Sequence, residues 1–384
     1  MKIFIVVETL DPGYLEYCLA KEISKLGHKV LVFTFGTSEG IGRAASNDGF
    51  EVVDLPYTAV ISGYHIPGLR GFKRIAELIK TIQPNIILSQ PLDSPTSMIF
   101  VALKRFYKYK MVGSIMTQLN LFFSRWGLKK KFFFAISKMV ISSWVKKECS
   151  VFFAKTKDFS ALLSASYSIP LNKFKVIPLG SDQNLYKFNA VARTEMRKNL
   201  GLSETDILLI YSGKIDQTKG LDVLIKALGP VIRKNSKVKL LILGKGERFF
   251  VDRLARLTSD EKIETNVRFQ PWVSRSLIPQ FYSASDIGVW PGLSSISIVD
   301  AASTGLPVII ARYPVEIFAI ENNNGFAFQI GNVQDLRTFI EKLTSDQNLR
   351  KAMGRRSRLL VEQKLNWATI ADMYLDTFHI ALED

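Results

Sequence analysis

Cysteine is scarce in this chain. Cys18 and Cys149 stand alone without a CxxC spacing, and the histidines are few: His28, His65 and His379. That scarcity argues against a disulfide framework and a Cys/His zinc site, and it fits a reducing, cytoplasmic setting. Long apolar runs are also lacking. The longest, 132–145, is broken by Lys138, short of the ~18 to 20 residues that a spanning helix needs. Near the amino end, Ile3 to Val7 is interrupted by Glu8, so it reads as a first strand and not as a secretory leader. No DxD triplet occurs, which removes the usual carboxylate clamp for a divalent ion on a diphosphate, and no metal site is expected. The loop after the first strand has no GxGxxG, which speaks against a dinucleotide-dependent dehydrogenase.

What is present is an ordinary globular balance with an unusual charge. The 384 residues are 47% hydrophobic and 22% charged, enough for two cores. Lys plus Arg number 51 against 35 Asp plus Glu, a formal +16 that attracts polyanions. Nucleotide phosphates and an anionic membrane surface are the expected partners. Nucleic acid is not, because no recognition motif accompanies the lysines.

Short Val- and Ile-rich runs alternate with helical patterns, the signature of βα units around parallel sheets. Strands are expected at 2–7, 29–35, 51–55, 85–88, 110–115, 151–154 and 175–177, then at 207–211, 239–243, 267–269, 287–290, 307–311 and 325–330. The polar stretch from Ser181 to Gly201 reads as the connection, which divides the chain into domains 1–190 and 200–366. The helical stretch 367–384 is long enough to return to the first domain. In open α/β sheets ligands bind beyond the carboxyl ends of the strands, so the loops there are the ones that carry chemistry.

Three such loops stand out. Ser212-Gly213-Lys214 through Lys219-Gly220 runs from a strand into a helix, where unpaired amides and two lysines suit a diphosphate as well as a solvated turn. Gly244-Lys245-Gly246-Glu247 lets backbone approach a ligand closely, or is simply a tight turn. The block from Trp290-Pro291-Gly292 through Ser294, Ser295, Ile296 and Ser297 to Asp300 puts hydroxyls and amides before a carboxylate, either for phosphate and ribose oxygens or as a helix-dipole partner.

In their order, and together with Gly27-His28-Lys29-Val30 and Val176-Ile177-Pro178-Leu179-Gly180-Ser181-Asp182, these motifs resemble those of the family 4 glycosyltransferases. Those are retaining nucleotide-sugar transferases of the GT-B fold. The resemblance spans nearly the whole chain and is most specific from Ala284 to Val308. It implies an α/β architecture of two Rossmann-like domains facing each other across a cleft, the first binding acceptor and the second the nucleotide sugar. It implies Lys214 and Lys219 as catalytic groups on the diphosphate. Gly13, Gly213, Gly244, Glu247, Trp272, Ser294, Ser295, Ile296, Ser297 and Asp300 become donor contacts, with Asp300 on the ribose and the base near 270–273. Thr117 and Gln118 stand where the family often has a His and are the acceptor candidates. The first acid of the family's E-x7-E signature falls at or near Gly292, where this chain has no carboxylate. The implied reaction needs no cofactor beyond the donor, and the implied acceptor is a glycan or a lipid-linked sugar.

One further segment, 121–147, mixes Lys129, Lys130 and Lys131 with Phe and Trp. It reads either as an interfacial helix at an anionic membrane or as a core helix with a basic end.

Overall fold

A computed structural model describes residues 1–11, 15–35, 47–61, 64–115, 135, 139, 141–293, 295–313 and 320–383. Gly13, Thr117, Gln118, Ser294 and the 121–134 part of the basic aromatic segment lie outside them. The chain divides into two compact units, Met1–Pro178 with Trp367–Asp384, and Leu179–Asn366.

In the first unit the strands are β1 (Lys2–Val7), β2 (Lys29–Thr34), β3 (Glu51–Asp54), β4 (Tyr57–Ile61), β5 (Tyr64–Pro67), β6 (Ile86–Gln90), β7 (Lys110–Ser114), β8 (Cys149–Ala154) and β9 (Phe174–Val176). Its sheet runs β3-β2-β1-β6-β7-β8-β9 and is parallel. Burial on both faces explains why β1 and β2 read as nearly unbroken apolar runs. Helices α1 (Leu15–Lys25), α2 (Leu69–Ile82), α3 (Pro95–Leu103) and α4 (Lys157–Tyr167) connect the strands. β4 and β5 form a separate antiparallel ribbon, in a stretch where the apolar pattern marks no strand. Its exposed positions carry neither a continuous apolar run nor a clean alternation.

The second unit contains α5 (Ala190–Asn199), β10 (Ile207–Ser212), α6 (Leu221–Lys234), β11 (Val238–Leu243), α7 (Arg248–Asp260) and β12 (Val267–Gln270). There follow α8 (Ile278–Ala284), β13 (Ile287–Trp290), α9 (Ser297–Ser303), β14 (Val308–Ala311), β15 (Gly325–Phe328), α10 (Val333–Ser345) and α11 (Gln347–Leu360). The parallel sheet runs β12-β11-β10-β13-β14-β15. The polar stretch after Pro178 differs from the expected connection, because its side chains are anchored in this unit. Arg197 is buried and donates to the carbonyls of Ala284, Ser203 and Asp206, while Arg193 pairs with Asp286 at 2.8 Å. Composition alone conceals this, since a buried arginine whose Nη1 and Nη2 groups donate to carbonyls looks like a solvated one in sequence.

The last helix, α12 (Trp367–Glu383), belongs to the first unit. Its Tyr374 hydroxyl accepts a hydrogen bond from Gln90 Nε2 at 3.2 Å, and the Tyr374 ring packs 4.6 Å from that of Phe153.

Candidate active site

Strand order reverses between β10 and β13: the chain builds outward from β10 to β12, then returns to the other side of β10. In open α/β sheets the loops on either side of such a switch point, at the carboxyl edge, are where ligands bind. The loops singled out in the sequence meet there.

Glycine lets the first two loops run together. Gly213 N donates to Leu243 O at 3.0 Å, Ile215 N to Lys245 O at 2.8 Å and Gly244 N to Gln270 O at 3.0 Å. A Cβ on Gly244 would lie 1.8 Å from Gly213 O, and one on Gly246 would lie 2.3 Å from Ile215 O. Gly244 therefore permits the approach of one backbone to another, whatever else approaches it. Gly213 itself sits at φ +146°, outside the range that side-chain-bearing residues favour.

The β10 and β13 loops clasp each other. Lys219 Nζ donates to Leu293 O at 2.9 Å, and Leu293 N donates to Thr218 O at 3.0 Å. Gly220 lies so near Pro291 that a Cβ would meet Pro291 O at 2.6 Å. At Gly292 a Cβ would stand 2.4 Å from Lys219 C and Thr218 O, so the backbone of the neighbouring loop fills the place of a side chain. The missing carboxylate at this position is thus a packing fact as well as a chemical one.

Beneath the clasp, Trp290 Nε1 donates to Ser212 O and Ser297 Oγ, each at 3.0 Å, and Ser297 Oγ donates to Ser212 O at 2.8 Å. The Ser295 and Ser297 hydroxyls are 2.5 Å apart, and Ser212 Oγ is 2.6 Å from the Tyr282 hydroxyl. Ser297 is therefore committed to holding β10 against β13, and Ser295 lies at its edge. Lys214 is largely exposed and 3.4 Å from Asp216. Burial works against ionisation of Asp216, yet hydrogen bonds from the Thr218 hydroxyl and amide and the nearby Lys214 keep its carboxyl below the ordinary range. Glu247 and Trp272 are exposed at the ends of their loops, and Ile296 is half-buried ahead of α9.

Asp300 is buried, with Oδ1 accepting from Ser181 Oγ at 2.6 Å and Oδ2 from Arg275 Nη2 at 3.4 Å. Burial pushes its carboxyl up to about 6, with the Arg275 guanidinium and the Ser181 hydroxyl acting against that rise. Ser181 and Arg275 were not given roles from sequence, because nothing local links residues 119 and 25 positions away from Asp300.

The raised carboxyl of Asp300 makes stability depend on pH. With a folded value of about 6 above the ordinary 3.8, the folded chain holds the extra proton between those limits. Stability relative to an Asp300→Asn variant should therefore fall as pH rises from about 4 to about 6, by on the order of 3 kcal/mol, and then level off. Urea melts of both proteins across that range check it; parallel curves would remove Asp300 from the account.

Among the described residues, no group of three or more His, Cys, Asp or Glu side chains is arranged to hold a metal ion.

Comparison with known proteins now decides the family. Glycosyltransferase Family 4 matches residues 17–185, and Glycosyl transferases group 1 matches residues 192–360. The chain belongs to the family 4 glycosyltransferases. Its fold is GT-B, as in the Anabaena protein Alr3699/HepE crystallised with UDP and glucose, with a TM-score of 0.79 over 99% of this chain and 100% of that one. At 18% identity that likeness speaks for the fold. A D-inositol 3-phosphate glycosyltransferase of Pseudarthrobacter chlorophenolicus is 26% identical over 238 residues, 60% of this chain and 56% of the relative. A GDP-mannose-dependent α-(1-6)-phosphatidylinositol monomannoside mannosyltransferase of Mycobacterium tuberculosis is 25% identical over 219 residues, 54% of this chain and 56% of the relative. The matches thus span a little over half the length of these curated relatives.

Proposed function

We propose that this family 4 chain moves a sugar from a nucleoside-diphosphate sugar to a glycan acceptor, lipid-linked or within a polysaccharide, without a metal and with retention of anomeric configuration. The observation that carries the reading is the clasp of the β10 and β13 loops at the switch point, with the Lys219 ammonium at its centre. A diphosphate gains negative charge as it leaves, and a fixed ammonium with backbone amides lowers that barrier. Lys219, and more weakly the exposed Lys214, take that role. Gly213, Gly244 and Ser295 line the approach, and Trp272 and Glu247 meet the nucleotide at the rim. Asp300 receives ribose hydroxyls by exchanging its contact with Ser181 or Arg275.

In the transfer itself the acceptor oxygen bonds to the anomeric carbon on the face the diphosphate vacates. The bond from that carbon to the phosphate oxygen breaks with its electron pair, and the acceptor proton passes to the phosphate. Thr117 and Gln118 are the proposed acceptor contacts. A cytoplasmic chain held peripherally at a membrane suits such an acceptor, in keeping with the phosphatidylinositol-linked substrate named for the mycobacterial relative. No helix among the described residues is long and apolar enough to cross a membrane.

The test is release of nucleoside diphosphate from a panel of UDP-, GDP- and ADP-sugars, with candidate acceptors and excess EDTA. At least one donor should turn over. A second reading, a nucleotide-binding subunit without turnover, is favoured by the side-chain-free packing at Gly292. It takes precedence if a nucleotide binds and no sugar is released with any acceptor or metal.

A further inference from the structure

The donor crevice accounts for few of the 51 Lys and Arg residues. Another group of lysines gathers within the first unit, where β6, β7, β8 and β9 begin. The segments entering these strands enclose an open hollow of about 870 Å³, within the range of small-molecule sites. Lys104, Lys108, Lys110, Lys147 and Lys173 line it, and Glu148 is the one carboxylate among the described lining residues.

The lysines fall into two sets. Lys104 Nζ donates to Glu148 O at 2.5 Å and lies 3.3 Å from Glu148 Oε2, which neutralises that carboxylate. Lys173 Nζ donates to the carbonyls of Lys146 and Cys149 at 3.0 and 3.3 Å, pinning the start of β8. Both are committed to the fold. Lys108, Lys110 and Lys147 form no ion pair with a described residue, and Lys108 and Lys147 are exposed. Three ammonium groups without an ion-pair partner among the described residues, set around one concavity, repel one another, a cost that an anion between them would relieve. Lysine suits phosphate as a point charge with three rotatable donors.

We propose that this hollow is a second anion site, separate from the crevice at the carboxyl edge of the second unit, and that it takes a phosphate or diphosphate group carried by a larger molecule. The size of the hollow fits a phosphorylated small molecule or the headgroup of an anionic lipid equally, and both present the same chemistry to the lysines.

The test compares the wild-type chain with a Lys108→Ser, Lys147→Ser double variant, and with the Lys108→Arg, Lys147→Arg pair as a charge-retaining control. Calorimetric titration with inorganic pyrophosphate should show one binding event fewer in the Ser pair than in wild type, or that event weakened about thirtyfold. Binding should persist in the Arg pair. Sedimentation with vesicles of phosphatidylcholine, alone or mixed with phosphatidylglycerol, separates the sources. Loss of binding to the anionic vesicles in the Ser pair assigns the site to a headgroup, whereas loss of pyrophosphate binding without any vesicle binding assigns it to a soluble phosphorylated ligand. Identical pyrophosphate and vesicle binding in wild type and Ser pair would overturn the proposal. Because both replaced side chains are exposed, matched thermal melts serve as the folding control, and each single Ser variant replaces the pair should the pair not fold.

Discussion

Lys219→Ala is expected to lower turnover by roughly 10² to 10³ while the chain stays folded, as removal of one preorganised donor to a developing anion does elsewhere. The lysine is half-buried, and its ammonium is held at Leu293 O, 2.9 Å away, so it is already positioned before a donor arrives. Preorganisation matters because the barrier falls only if the charge need not be moved into place during the reaction. The same contact ties the β10 loop to the β13 loop, and part of the loss should appear as weaker donor binding. Lys214→Ala should cost much less, since that side chain is largely exposed and screened by solvent and by Asp216 at 3.4 Å. Steady-state rates for the purified variants, beside their thermal melts, decide the matter. Wild-type activity in Lys219→Ala would remove the lysine from the mechanism.

The second large effect is expected at a residue without a side chain. Gly244→Ala would put a methyl group 1.8 Å from Gly213 O and 3.0 Å from Gly213 C, both backbone atoms held by the pairing of the two loops. Neither can swing aside as a flexible side chain would, so the loops must separate. Overpacking of this kind costs about 1 to 3 kcal/mol and occasionally more, and the upper end is expected here. Nucleotide binding should fall with stability, because the separation displaces Gly213 and Lys214 from the crevice. Gly246→Ala, with its methyl 2.3 Å from Ile215 O, should act in the same direction. Denaturant melts combined with nucleotide titration measure both effects; a wild-type midpoint in Gly244→Ala would contradict the close approach.

These two sites differ in how they could be read from sequence. Lys219 stands in a strand-to-helix loop, a place where phosphate chemistry is expected from local pattern alone. Gly244 stood out for closeness to a ligand, but the structure adds a partner, Gly213, thirty-one positions away, which only the parallel pairing of β10 and β11 brings alongside. The alternating apolar runs that became β1, β2, β10, β11 and β13 were legible because strands buried on both faces leave few polar interruptions. The β4–β5 ribbon was not, since its half-exposed residues carry no such signal. Ser181 and Arg275 escaped for another reason: their function is to hold Asp300, and that depends on tertiary contacts with no local trace. Arg197 shows the same limit from the other side, with a charged residue in a polar stretch turning out to be 1% exposed.

The β10 and β13 loops are expected to hold a nucleoside diphosphate by its phosphates, and calorimetric titration with UDP, GDP and ADP beside uridine, guanosine and adenosine measures that grip. Charge-assisted hydrogen bonds each contribute about 1.5 to 3 kcal/mol, so one diphosphate should bind about a hundredfold tighter than its nucleoside, and Lys219→Ala should remove most of that difference. Equal affinity for nucleoside and diphosphate, or a difference that survives intact in Lys219→Ala, would contradict the account.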